Sequence, residues 1–403
     1  MFRESLVRDL VPAVIGILVR RGADFAAAED AVQEALIRAL ETWPADPPRD
    51  AKAWLVAAAW RKFLDAARSE TSRRGRELAI EVEPAAGPVP DTDDSLWLYF
   101  LCAHPSLSPS SAVALTLRAV GGLTTRQIAT AYLVPESTMA QRISRAKKRL
   151  SGLPLDQPGD LRTVLRVLYL VFNEGYGGDV DVAAEAIRLT RQLADAVQGA
   201  DRRGGLDAGS SLPAPPSAVD EPEVAGLLAL MLLHHARRAS RTGPGGRLIP
   251  LAEQDRTRWD TTLIAEGVAI LQAALARDRL GEYQAQAAVA ALHADARSTA
   301  ETDWVQIVEW YDELCQLTDS PVVRLNRAVA VGEADGPQAG LAALGKLDPG
   351  LPRYAAARAY LLERAGDLAQ AADLYAEASR AATSVPERDH LTREAARVRA
   401  LLP

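Results

Sequence analysis

Two short stretches of the chain concentrate cationic side chains, and the chemistry they offer is contact with phosphates and base edges. Residues 136–149 carry Arg142, Arg145, Lys147, Lys148 and Arg149 against only Glu136. Residues 61–76 carry Arg61, Lys62, Arg68, Arg73, Arg74 and Arg76 against Asp65 and Glu70. Phosphate contact depends on local patches, so a formal net charge of −7 does not exclude nucleic acid. Other chemistries find no support. The five histidines, His104, His234, His235, His293 and His390, form no metal-ligand spacing. There is no phosphate-binding glycine loop and no nucleophile–base constellation. The sequence therefore predicts a non-enzyme with no catalytic residue, metal or cofactor. Cys102 and Cys315 are far apart with no CxxC partner, which argues against a disulfide framework or zinc site and fits a reducing cytoplasm.

The first requirement is a scaffold for the basic stretch at 136–149. Residues 122–146 read as helix, tight corner, second helix, the arrangement of a helix-turn-helix. Thr124 and Gln127 are spaced for a capping box, with Ile128 and Ala129 facing inward. Met139, Ile143, Ala146 and Leu150 recur as the buried stripe of the second helix. Thr138, Gln141, Arg142, Arg145 and Lys148 fall on the other side, where Arg and Gln suit base edges and Thr and Lys suit phosphates. Such motifs usually place glycine at the corner. Here Leu133 stands there, so the corner must be turned another way, with help from Pro135.

The remaining elements are also helical. Alanine, leucine, arginine and glutamate dominate while aromatics make up 5%, and no segment of strand period stands out. At 403 residues two to four domains are expected. Residues 1–69 form one unit. Leu6, Leu10, Val14 and Leu18 give an amphipathic helix, and Val11–Val19 is too short an apolar run to span a membrane. A second helix, capped by Asp24, buries Val32, Ala35, Leu36, Ala39, Leu40 and Trp43 and stops at Pro44, Pro47 and Pro48. A third runs from Asp50 to about Ser69. Residues 70–94 form a linker, 95–150 a second unit, and 154–159 a Pro/Gly break. Further helices are expected at 160–173, 180–197, 221–241, 260–277, 281–296, 303–317, 321–332, 353–365, 368–382 and 386–401, with a flexible interruption at 198–220. The predicted fold is all-α.

With these motifs in order, the second unit resembles the promoter −35-binding domain of extracytoplasmic-function sigma factors. The first resembles their domain for core RNA polymerase and the −10 element. The resemblance implies that Ala28-Glu29-Asp30-Ala31-Val32-Gln33-Glu34-Ala35 docks on the polymerase through Asp30, Gln33 and Glu34. It implies that Arg61, Lys62, Asp65 and Arg68 serve −10 DNA, with Trp60 either in the core or stacking on an unpaired base. Residues 160–403 resemble the tetratricopeptide-like extension of one subgroup, on the segments Leu168–Tyr176, Asp255–Asp260 and Gly281–Ala288. Residues 352–382 fit one such repeat, with Ala359, Leu362, Gly366, Ala371, Tyr375 and Ala378 at the packing positions. In the extension, Glu174, Arg256, Arg258 and Trp259 are structural or ligand candidates, Glu174 being a possible partner for Arg256 or Arg258. The implied partners are core RNA polymerase, promoter DNA, and either a regulatory protein or an intramolecular contact made by the extension. No membrane partner is expected. A helix-turn-helix activator with a sensor domain, acting without residues 1–69, stays open as the alternative, as does a scaffold protein.

Overall fold

Helix caps and breakers set the boundaries of the N-terminal helices. The computed structural model describes residues 4–74, 95–150, 160–174, 181–202 and 221–402. The parts of the expected linker, break and interruption at 75–94, 151–159 and 203–220 lie outside them. Helix α1 spans Glu4–Arg20, α2 Phe25–Thr42 and α3 Ala51–Arg74. The Asp24 carboxylate accepts from the Ala26 and Ala27 amides and starts α2, as its sequence position predicts. Phe25, Ala28, Val32, Ala35, Leu36 and Ala39 are buried along α2, and Trp43 closes its end edge-on to Trp54 of α3, ring centres 5.3 Å apart. Leu40 departs from the expected stripe and is 59% exposed. Each four-residue step turns about 40° past a full revolution. Going from Leu36 to Leu40 thus carries the side chain beyond the buried arc.

Four helices follow: α4 (Ser95–Cys102), α5 (Pro109–Ala119), α6 (Thr125–Ala131) and α7 (Glu136–Leu150). Ser108 caps α5 with Pro109 in its first turn, a combination that suits a helix start. Then come α8 (Leu161–Glu174) and α9 (Val182–Arg202). Residues Met1–Glu221 form one compact unit, in which α8 and α9 pack on α4 and α5. The segment expected as a single extension is therefore divided, its first two helices belonging to the N-terminal unit.

Pro222–Pro403 form the second compact unit. Its helices are α10 (Glu221–Ala236), α11 (Thr261–Leu275), α12 (Glu282–Asp295), α13 (Trp304–Leu317), α14 (Pro321–Ala334), α15 (Pro337–Leu344), α16 (Tyr354–Arg364), α17 (Leu368–Ala381) and α18 (Val385–Arg399). From α11 onward each packs chiefly on its neighbours in sequence, the quasi-one-dimensional arrangement of a helical solenoid. Ala359, Leu362, Ala371, Tyr375 and Ala378 share one core with Leu391, Ala395 and Val398. Gly366 makes the intervening turn at φ +89°. Gly340 lets α15 lie against α14, since a Cβ there would sit 2.7 Å from Gly332 Cα. Helix α15 was not expected from sequence, and α10 stops at Ala236, short of the predicted 241. Beyond it Thr242 and Leu248 form an isolated β-bridge, the described residues otherwise being helical or irregular. The fold is all-α.

Candidate polymerase and nucleic-acid interface

Local hydrogen bonds build the helix-turn-helix. The Gln127 amide donates to Thr124 Oγ1 at 3.2 Å and the Thr124 amide to Gln127 Oε1 at 2.8 Å, the reciprocal capping box predicted for α6. At the corner Leu133 adopts φ +51° with its side chain 72% exposed, and the Val134 amide returns to the Ala129 carbonyl at 3.0 Å. The expectation of a differently made corner is thereby corrected. Leucine takes the left-handed conformation that glycine would supply, at a cost of about 1–2 kcal/mol. Pro135 acts at the next step, its carbonyl accepting from the Thr138 and Met139 amides as α7 begins.

Helix α7 then separates its two faces. Met139, Ile143, Ala146 and Leu150 are buried. Thr138, Gln141, Arg145 and Lys148 are exposed and Arg142 is half-buried. On α2, Asp30 and Glu34 are exposed and Gln33 half-buried, and on α3 Arg61, Lys62, Asp65 and Arg68 are exposed. Sequence reasoning missed Ile37, 59% exposed, which with Leu40 adds an apolar strip beside the α2 polar residues. Trp60 is half-buried, its ring 5.2 Å from that of Phe63 and 5.7 Å from the Arg21 guanidinium.

A charged cluster that sequence reasoning did not single out joins α2 to α5 and α7. Glu29 is fully buried. Lys147 of α7 hydrogen-bonds its carboxylate, and Arg118 Nε of α5 lies 2.9 Å away as an ion pair without an aligned hydrogen bond. Lys147 also donates to Asp30 at 2.7 Å. Arg118 uses a second nitrogen on the Leu123 carbonyl at 3.1 Å. Two half-buried cations thus hold one buried anion, with Lys147 lying 118 residues from Glu29 in sequence. A second pair, Glu34–Lys62 at 3.0 Å, ties α2 to α3 at the surface, where ion pairs contribute under about 1 kcal/mol. Burial and the nearby Glu29 charge push the Cys102 thiol up, so it stays protonated and unreactive.

Helix α9 closes on the same unit. The Tyr99 hydroxyl of α4 donates to the Leu189 carbonyl at 2.8 Å. Gly121 is packed so tightly that a Cβ would sit 2.7 Å from the Leu117 carbonyl oxygen and 3.1 Å from Glu185 Oε1.

Among the extension candidates, the Glu174 side chain lies outside the described residues. Arg256 donates to the His293 carbonyl and, at 2.7 Å, to that of Ala296, and its guanidinium lies 4.7 Å from the Trp259 ring centre. Trp259 is buried and Arg258 exposed. No described helix is long and apolar enough to cross a membrane, and no described group of His, Cys, Asp and Glu is placed to hold a metal.

The comparisons with known proteins follow the same division. The family model for sigma-70 region 2 matches residues 6–73 and that for sigma-70 region 4 matches residues 97–150. A family of unknown function, DUF6596, matches residues 214–275. An uncharacterized protein of Rhizobium meliloti (strain 1021), R00370, is 38% identical over 423 residues, covering 96% of this chain and 95% of the relative. Region 2 carries the α2–α3 surface and region 4 the α6–α7 motif, in the order a sigma factor requires. The chain therefore belongs to the same family as protein R00370, and its sigma-70 regions 2 and 4 make it a sigma factor of the extracytoplasmic-function type for promoter-specific transcription initiation.

Proposed function

We propose that this sigma factor binds core RNA polymerase through Asp30, Gln33 and Glu34 together with the apolar Ile37–Leu40 strip. On this reading Arg61, Lys62 and Arg68, with Asp65 orienting a neighbouring cation, hold the −10 region. Thr138, Gln141, Arg142, Arg145 and Lys148 read and grip the −35 element. Residues 1–69 then act as the polymerase and −10 domain, 95–150 as the −35 domain, and 160–403 as a built-in tetratricopeptide-like regulator working inside the cytoplasm.

The observation that supports a closed form of residues 1–150 is the Glu29–Lys147–Arg118 cluster. The −10 and −35 elements are about 25 base pairs apart, or roughly 85 Å of B-DNA at 3.4 Å per pair. A chain with α7 bonded directly to α2 cannot span that distance. On this reading the cluster opens on promoter engagement. Lys147 donates to Asp30, so engagement of Asp30 by polymerase competes with the closed form. Docking of α8 and α9 on α4 and α5 gives the extension a direct hold on the −35 domain, which supports its role as regulator.

Footprinting separates this reading from an activator. With core polymerase present the chain should protect both −10 and −35 elements and render the −10 strand reactive to single-strand probes. Equal protection of duplex DNA by the chain alone, indifferent to deletion of residues 1–69, would favour the activator. Removing residues 222–403 should change promoter output, and unchanged output would remove the regulatory role of that part.

A further inference from the structure

Unit two holds a cationic cluster that the promoter and polymerase contacts do not use. After α10 the chain runs through Arg237, Arg238 and Arg241 into a compact loop and returns through Arg256 and Arg258 to α11. Hydrogen bonds fix this loop. Ser240 is buried and donates to the Asp255 carbonyl at 3.0 Å, which sets Arg241 and Arg256 on neighbouring strands of the loop. The Ile249 amide bonds the Arg241 carbonyl at 2.9 Å, and the Asp260 amide bonds that of Ala236 at 2.9 Å. Arg256 in turn reaches the end of α12, bringing in His293.

The charges in this loop do not balance. Its three carboxylates are committed elsewhere. Glu253 pairs with Arg247 at 3.8 Å, Asp255 accepts from the Thr257 amide and hydroxyl, and Asp260 caps α11 through the Thr262 and Leu263 amides. Arg237 is half-buried and Arg241 exposed, and neither guanidinium makes a hydrogen bond or ion pair among the described residues. The buried Trp259 indole N–H beneath Arg256 also has no acceptor among them. Half-burying a guanidinium beside other cations is unfavourable unless something compensates. The groups feel one another. Burial and the Arg241 and Arg256 charges pull Arg237 down to about 10. Burial and the Arg237 and Arg256 charges pull His293 down to about 4. Burial with Arg237, Arg241 and His293 pulls His234 down to about 3. Glu301 is the acidic group facing Arg256, and it acts in the opposite direction. A bound anion would relieve the mutual repulsion of these cations through charge-assisted hydrogen bonds.

We propose that Arg237, Arg241 and Arg256 form an anion-binding site in the extension, built to take the phosphoryl group of a small ligand. Planar guanidinium forks match phosphate oxygens in pairs. Arg237 lies at depth and Arg241 at the surface, which suits a compact dianion better than a nucleic-acid backbone running over the exterior. The loop joins α10 to α11, so occupancy of the site would stiffen the start of the solenoid. This inference is independent of the sigma reading, because binding is measured without polymerase or promoter.

The test is calorimetry and thermal melting of the full chain with inorganic phosphate and pyrophosphate, at constant ionic strength maintained with chloride. Saturable binding that raises the melting midpoint is expected. Affinity should fall tenfold or more in Arg241→Gln, which is exposed and leaves the packing intact, and further in Arg237→Gln. Arg399→Gln, on α18, should bind as the parent does. No saturable binding by the parent chain, equal binding by Arg241→Gln, or binding by DNA fragments but not by either phosphate would overturn the proposal.

Discussion

Replacing Glu29 by Gln keeps the side-chain shape but removes a fully buried charge between α2 and α7. Lys147 retains Asp30, and Arg118 retains the Leu123 carbonyl, so the loss is partial. Breaking a buried ion pair costs about 3–5 kcal/mol, and with these contacts left about 2 kcal/mol is expected from the cluster. At 1.4 kcal/mol per tenfold, the closed-to-open equilibrium should shift about thirtyfold toward open. Lys147→Met acts from the other side, leaving Glu29 with the unaligned Arg118 contact alone. The two changes remove the same interaction, so the double variant should cost little more than the larger single change. Single-molecule energy transfer between dyes at the exposed positions Glu41 and Ser144 reads the open fraction directly. Initiation at limiting core polymerase should rise with the open fraction. An open fraction unchanged in both singles, or strictly additive effects in the double, would refute the reasoning that this cluster is the closure.

Other consequences follow from individual contacts. Leu133→Gly should raise the melting midpoint of the N-terminal unit by relieving about 1 kcal/mol of left-handed strain, and Leu133→Val should lower it. Gly340→Ala puts a methyl against the Gly332 backbone and should destabilise the second unit by about 1–3 kcal/mol in urea unfolding. Arg145→Ala should weaken −35 binding by about 1–3 kcal/mol and relax the preference at one base pair, whereas Lys148→Ala should mainly reduce the salt dependence, both read by binding titrations across salt. His293 is held down to about 4 by burial and by Arg237 and Arg256, below its ordinary 6.5. Its neutral form is the one the fold prefers, so its contribution to stability is present above pH 6.5 and is lost as pH falls from there toward 4. Melting of the chain across that window should show the loss, and His293→Gln should reduce it.

Features fixed by near neighbours were legible in the sequence. The Thr124–Gln127 box, the Asp24 cap and the α7 stripe each depend on residues within a turn or two, and side-chain type alone specifies them. The glycine position at the corner was legible too, but its conformation was not, because leucine's presence argues against the φ it adopts. Long-range charge pairing was the main omission. Glu29 follows Phe25 by four residues and precedes Val32 by three, inside the apolar stripe, and a carboxylate there signals a buried partner. Nothing local identifies that partner, since Lys147 on the basic face of α7 looks like its solvated neighbours. Leu40 was misplaced because its spacing fits the stripe while the buried arc is narrower than the pattern. The short α15 was missed because its eight residues lie below the length at which periodicity is informative. The division of the extension after α9 depends on the fit of α8 and α9 to α4 and α5, which sequence periodicity does not encode.

The central claim is tested most directly by mapping transcript starts in a reaction of purified core polymerase, genomic DNA fragments and this chain. Discrete starts are expected downstream of one shared pair of −10 and −35 elements, absent without the chain and lost in an Arg142→Ala/Arg145→Ala variant that still binds core. Starts that stay scattered, or that are the same with and without the chain, would contradict the account.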